Sequence, residues 1–234
     1  MVKKIVLFSF LFIWAKAAFL QNVLREGKIL YDISYQNLPA EMRRNEHMLP
    51  HDASFYFKGE KTRMEMGISG MGKNTTIYNG DSATNTVLLN IKGKKFALIK
   101  SDSEMVEVRQ SFAPNDSNYA FLGVTVVNEF KKIVDFNCQK AIVKRKVNGI
   151  IQETICWFTK EIPPYNTKND PNLHDIPGFL MQYSMTENGM SMTMTVKLVM
   201  RVPIEDSYFE IPQGYQIVSE KELNRILMVM QNGQ

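Results

Sequence analysis

The sequence predicts a mainly β, α+β chain in which one curled antiparallel sheet carries a single capped helix. Three observations lead there. Apolar and polar residues alternate with period two from Gly27 onward, glycine-bearing turn signals recur at short intervals, and the C-terminus is amphipathic and capped. A curled sheet that stays unclosed and is covered by helices on its concave face is a half-barrel with a lid.

In chain order, Ile29, Tyr31, Ile33 and Tyr35 alternate with Leu30, Asp32, Ser34 and Gln36, the pattern of a half-buried antiparallel strand. Pro39 to Met48 is short and charged, and is expected to form a short helix after the first strand, over the concave face. Ala53, Phe55 and Phe57 then alternate with Ser54, Tyr56 and Lys58, and Thr62, Met64, Met66 and Ile68 with Arg63, Glu65 and Gly67. Lys58-Gly59-Glu60-Lys61 joins these two as a hairpin loop. Further strands are predicted at Thr75–Tyr78, Thr86–Ile91, Lys95–Lys100, Gly123–Phe130, Gln139–Val147, Ile150–Thr159, Phe179–Thr186 and Met190–Val202. Asn79-Gly80-Asp81, Lys92-Gly93-Lys94, Asn148-Gly149 and Asn188-Gly189 supply turns among them. Pro163 to Pro177 holds four prolines among Asn and Asp residues and reads as a long loop.

The C-terminal helix has the clearest signals. Ser219-Glu220-Lys221-Glu222 is a capping box, with Val218 and Leu223 placed as a hydrophobic staple. Leu223, Ile226, Leu227 and Met230 fall on one stripe that must cover something apolar.

The N-terminus is expected to leave the mature protein. Lys3 and Lys4 precede the apolar run Ile5 to Trp14, and Ala15-Lys16-Ala17 offers a small-x-small cleavage pattern. That run is shorter than the roughly 20 residues needed to span a bilayer. Residues 1–17 are therefore read as a cleaved signal peptide, and residues 18–234 as one exported domain, placed in the periplasm with no transmembrane segment. The formal charge of +4 falls to +1 once Lys3, Lys4 and Lys16 are removed. A near-neutral chain argues against nucleic acid as a partner.

The two cysteines, Cys138 and Cys156, flank Asn148-Gly149. A tight turn there pairs 147 with 150 and sets the two sulfurs on opposite faces of the sheet. Free thiols are favoured by this register over a disulfide, which would need a bulge or a longer loop.

No nucleophile elbow, zinc-protease, P-loop or dinucleotide-binding motif is present, so no catalytic residue, cofactor or metal is assigned and the chain is read as a non-enzyme. His47 and His51 stand four apart beside Asp52, yet Pro50 breaks any helix that would align them. Asp102, Glu104 and Glu107 read as a solvated face.

Methionine recurs at 190, 192 and 194. Soft thioethers can hold copper(I), which makes copper handling the alternative function. On an uninterrupted strand, however, that face runs on into Val196, Leu198, Met200 and Val202, which favours a hydrophobic face. Phe55, Phe57, Met64, Met66, Met190, Met192, Met194 and Leu198 are the candidate apolar lining, with Leu223, Ile226, Leu227 and Met230 closing it. Plain core packing, in a structural or adaptor protein, is the remaining alternative.

The stretches "MLPHDASFYFKGEKTRMEM" (48–66), "CQKAIVKRKVNGIIQETICWFTKEI" (138–162) and "FEIPQGYQIVSEKEL" (209–223) resemble a family of exported bacterial proteins, a domain of unknown function ending in F-x-I-P-x-G-Y. "IPGFLMQY" (176–183) is similar to an element of a neighbouring family. The resemblance groups the chain with the LolA/LolB-like lipoprotein-carrier half-barrels. It implies an incomplete antiparallel barrel with a hydrophobic concave side, the side on which such carriers hold lipoprotein acyl chains. The expected partner is thus an apolar small molecule, a lipid or an acyl chain.

Overall fold

The computed structural model describes residues 23–68, 72–91, 93–105, 119–167, 170, 172–187 and 190–232. The expected signal peptide and the Asn188-Gly189 turn lie outside these residues.

Alternating sequences pair as antiparallel hairpins, and here they join into one sheet. Its strands are β1 (Glu26–Gln36), β2 (Asp52–Lys58), β3 (Lys61–Ile68), β4 (Gly72–Asn79), β5 (Thr84–Ile91) and β6 (Lys94–Ser101). They continue with β7 (Tyr119–Ile133), β8 (Phe136–Val147), β9 (Ile150–Thr159), β10 (Phe179–Glu187), β11 (Met190–Met200) and β12 (Gln216–Ile217). The spatial order is β12-β6-β5-β4-β3-β2-β1-β11-β10-β9-β8-β7. Two meanders, β2 to β6 and β7 to β11, are thus joined through β1, and the 12-stranded sheet curves without closing. It is a half-barrel, as predicted. Among the described residues only β12 runs parallel to its neighbour, pairing Gln216 with Phe96 and Ile217 with Ala97.

The inner face is the one bearing Ile29, Tyr31 and Ile33 of β1 and Phe55 and Phe57 of β2, all buried in the main core. Ile162 and Tyr165 of the proline-rich stretch pack onto it. Tyr165 lies on Phe57 with ring centroids 5.2 Å apart, and Phe179, at the start of β10, lies 5.3 Å from Phe55. The Tyr31 hydroxyl donates to the Leu180 carbonyl at 3.0 Å, and Asn166 ties the loop to the same place by accepting from the Leu180 amide at 3.0 Å. Gly178 permits this approach, since a Cβ there would fall 2.2 Å from the Thr159 carbonyl oxygen.

Three expectations change. The short helix after β1 exists at Ala40–Arg43 but buries none of its residues; the cover comes from the proline-rich loop instead. Second, the ladder between β1 and β11 jumps from Leu30↔Leu198 to Tyr31↔Val196, so Lys197 is an extra residue. This β-bulge reverses the alternation. Met192, Met194 and Val196 face inward with Val199, whereas Leu198 and Met200 turn to the other face, 42% and 36% exposed. Leu198 therefore leaves the candidate lining.

Third, the C-terminal helix (Glu220–Asn232) does not lie over the methionine strand. After β11 the chain crosses the outer face, where Ile204 and Phe209 pack with Tyr56, Ile77, Leu88 and Ala97, and Ile211 and Tyr215 pack against them. The F-x-I-P-x-G-Y stretch is this strap. Lys58 holds it by donating to the Ile204 carbonyl at 2.9 Å and pairing with Asp206 at 3.1 Å. Gly214, at φ 84°, turns the chain into β12 along the sheet edge. The helix then returns on the inner face at β5 and β6, where Leu223 and Ile226 meet Phe96, Leu89 and Leu98. The side chains of Leu227 and Met230 lie outside the described set.

Cys138 and Cys156 are free and buried, in separate clusters. Val147 pairs with Ile150 and Ala141 with Cys156, the register the Asn148-Gly149 turn predicts.

Candidate functional site

Two rungs of aligned side chains cross the inner face from β2 to β6. The first is Phe55↔Met64↔Thr76↔Val87↔Leu98 and the second Phe57↔Thr62↔Tyr78↔Asn85↔Lys100. Period-two strands in unbroken register put each row on one side of the sheet.

The covers sit at the two ends of the apolar rung. Phe55 is buried beneath Phe179, and Leu98 meets the C-terminal helix. Between them Met64, Thr76 and Val87 are only half-buried, and so is Met66 in the next row. The result, among the described residues, is a half-buried strip, or trough, over β3 to β5. Two inter-strand steps make it about 10 Å across, enough for one extended acyl chain. Beside the helix, Lys94, Lys95, Phe96, Gly214, Gln216 and Ile226 line a groove of about 660 Å³.

The second rung gives the trough a polar pole. Asn85 donates to Asp102 Oδ1 at 2.8 Å and Tyr78 to Oδ2 at 3.3 Å. The Lys100 ammonium, on a buried residue, is 2.6 Å from Glu220 Oε2 at the start of the helix. A buried cation without its partner is costly, so this ion pair fixes the helix against the sheet. Each group has a partner, and the arrangement reads as structural polarity at one end of an apolar strip.

The sequence-derived lining divides between this trough and the core. Met64 and Met66, half-buried, pack against the main core and border the trough. Phe55, Phe57 and Met194 are buried in the main core under the proline-rich loop. The Met194 sulfur accepts a hydrogen bond from the Tyr183 hydroxyl at 3.1 Å. Met192 is half-buried beside Tyr35, with Met190 further along the same face. Missed from sequence were Thr76, Val87 and Leu98. The alternation of Val87 and Leu89 with Leu88 in a mostly apolar strand hides which face is which, since both faces are covered.

For copper, the Met194 thioether is committed to the core, and among the described residues no group of three His, Cys, Asp or Glu side chains converges. His51 Nε2 lies 3.1 Å from the Glu46 carbonyl oxygen, and His174 pairs with Asp175 at 3.2 Å. Burial pushes both thiols up to about 11, so neither is a ready nucleophile at neutral pH. No helix among the described residues is long and apolar enough to cross a membrane.

Residues 40–215 match the family described as Domain of unknown function (DUF4412). No curated protein matches the sequence. Among solved structures, the chain is similar to PNGF-II at 14% identity and a TM-score of 0.49, over 88% of this chain and 32% of that one. It thus spans about a third of that protein's length. An uncharacterized conserved protein from Thermus thermophilus has 10% identity and a TM-score of 0.46, over 85% and 93% of the two chains. LprF from Mycobacterium bovis has 9% identity and a TM-score of 0.32, over 81% and 90%. At these scores the likenesses carry no conclusion about ligand or activity.

Proposed function

We propose that this chain, which belongs to the DUF4412 family, is a non-enzymatic periplasmic binding protein for a lipid, acyl chain or other apolar ligand. One observation carries the reading: Met64, Met66 and Val87 form a half-buried strip between two covers, beside the packed core around Phe55 and Phe57. Each acyl methylene buried there would contribute about 0.8 kcal/mol, so a chain of modest length binds without a polar anchor. Methionine suits such a floor because its flexible, polarisable side chain adapts to varied apolar shapes. The grouping with lipoprotein-carrier half-barrels that the motifs imply supports the same reading at the level of fold alone.

The test is a titration with a fluorescent fatty acid, with displacement by unlabelled lipid. Wild-type protein is expected to bind it, and Val87→Asp to weaken binding at least tenfold while keeping the unfolding midpoint within reach of the wild type. Binding unchanged by Val87→Asp and by Met64→Ser would exclude the trough. Copper(I) competition against a chelator separates the metal reading, for which binding above a variant lacking Met190 and Met192 would be required.

A further inference from the structure

The outer face of the β8–β9 hairpin is amphipathic. Its ladder sets Lys140 opposite Trp157, Ile142 opposite Ile155, Lys144 opposite Glu153 and Lys146 opposite Ile151, all on one side. Ile151 and Ile155 are 60% and 49% exposed, and Trp157 is half-buried. Lys131, from β7, holds its ammonium 4.3 Å above the Trp157 ring. Lys140 pairs with Glu129 and Lys144 with Glu153, at 2.9 and 2.8 Å. Four lysines thus stand against two glutamates around a stripe of three isoleucines and a tryptophan.

Three features of this face argue for one kind of occupant. It is one side of a long two-stranded ladder, so it suits an extended surface better than a small ligand. Its cations sit on long stems beside the apolar stripe, where they can lie along it and reach outward to phosphates. Exposed isoleucines and a tryptophan next to lysines match the composition of interfacial membrane-binding surfaces. Pairing of a second copy at the sheet edge is disfavoured, because β7 is broken against β8 by irregularities at Phe121/Gly123 and Val126/Phe130.

We propose that the outer face of the β8–β9 hairpin docks the protein on an anionic lipid surface, with Ile151 and Ile155 entering the headgroup layer and Lys144 and Lys146 meeting phosphates. The inference stands apart from the trough, which opens on the other face of the sheet and on different strands.

The experiment is co-flotation of the full chain with phosphatidylcholine vesicles, and with vesicles that also contain phosphatidylglycerol. Wild type is expected to float with the phosphatidylglycerol vesicles only, and to be released by high salt. Lys146→Gln is expected to lower partitioning about fivefold, the loss of one juxtamembrane cation. The double variant Ile151→Ser, Ile155→Ser is expected to lower it further with the fold kept, as judged by near-UV circular dichroism. Val87→Asp is expected to float as the wild type does, which separates this inference from ligand binding in the trough. No flotation of the wild type, equal flotation with both vesicles, or indifference to the lysine and isoleucine variants would overturn it. So would a concentration-dependent dimer in sedimentation velocity that Ile151→Ser dissolves, which would assign the face to a second copy.

Discussion

Phe57 has no exposed surface and is held between the stacked ring of Phe55 and that of Tyr165. Truncating it leaves a cavity that neighbours on three elements cannot all relax to fill. Phe57→Ala is therefore expected to cost about 3–5 kcal/mol, read from the denaturant midpoint at unchanged slope. Glu65, on the outer face, carries a pH signature. Burial pushes its carboxyl pKa up, but hydrogen bonds from Lys73 and Arg63 at 2.9 and 2.8 Å, with their charges, outweigh this and hold it below the usual value. A folded-state pKa below the unfolded one contributes stability that is present above the unfolded carboxylate pKa and lost as pH falls through the folded value. Urea midpoints measured down the acid limb should fall less steeply in Glu65→Gln than in the wild type. Parallel limbs in the two proteins would show that this carboxylate contributes nothing to acid lability.

At the scale of elements, the bulge at Lys197 makes a sharp distinction between neighbours. Leu198→Lys, on the outer face, is expected to change stability by no more than about 0.5 kcal/mol. Val199→Lys, which turns a charge toward the main core, is expected to cost about 1–3 kcal/mol or more. Thermal melts of the two variants check the register, and equal costs would contradict it. The helix offers a second comparison. The Ser219 side-chain oxygen accepts from the Glu222 amide at 3.2 Å, so Ser219→Ala is expected to cost about 1 kcal/mol. These elements also show what the sequence made legible. Period-two alternation located the long strands, and Asn148-Gly149 set the β8–β9 register, because each is a local signal. The bulge was hidden, since one added lysine in a run of strand-forming residues leaves local composition unchanged and is fixed only by the pairing with β1. The helix was recognised from its cap and stripe, but its seat was not, because the outer-face strap that carries it around the sheet edge depends on tertiary packing of Phe209 and Ile204. The proline-rich loop reads as a mere connection in the sequence for the same reason. Its role as a cover rests on Tyr165 and Asn166 meeting residues of β1, β2 and β10 far away in the chain.

For the whole molecule, the inner face is divided rather than open from end to end. The proline-rich loop seals it over β1, β2 and β10, the helix covers β5 and β6, and the half-buried strip runs between them. The candidate lining read from sequence thus separates into a filled core, centred on Phe55, Phe57 and Met194, and a smaller trough bearing Met64 and Met66. Copper handling through the methionine strand is disfavoured by the burial of Met194 and its bond from Tyr183. A scaffold role without ligand would leave the trough merely solvated. Native mass spectrometry of the protein purified without detergent, followed by organic extraction of what it carries, decides between occupancy and solvation. A discrete mass increment matching an extractable lipid or acyl compound is expected in the wild type and lost in Val87→Asp; a single bare-protein mass in both, with nothing extracted, would contradict ligand binding in the trough.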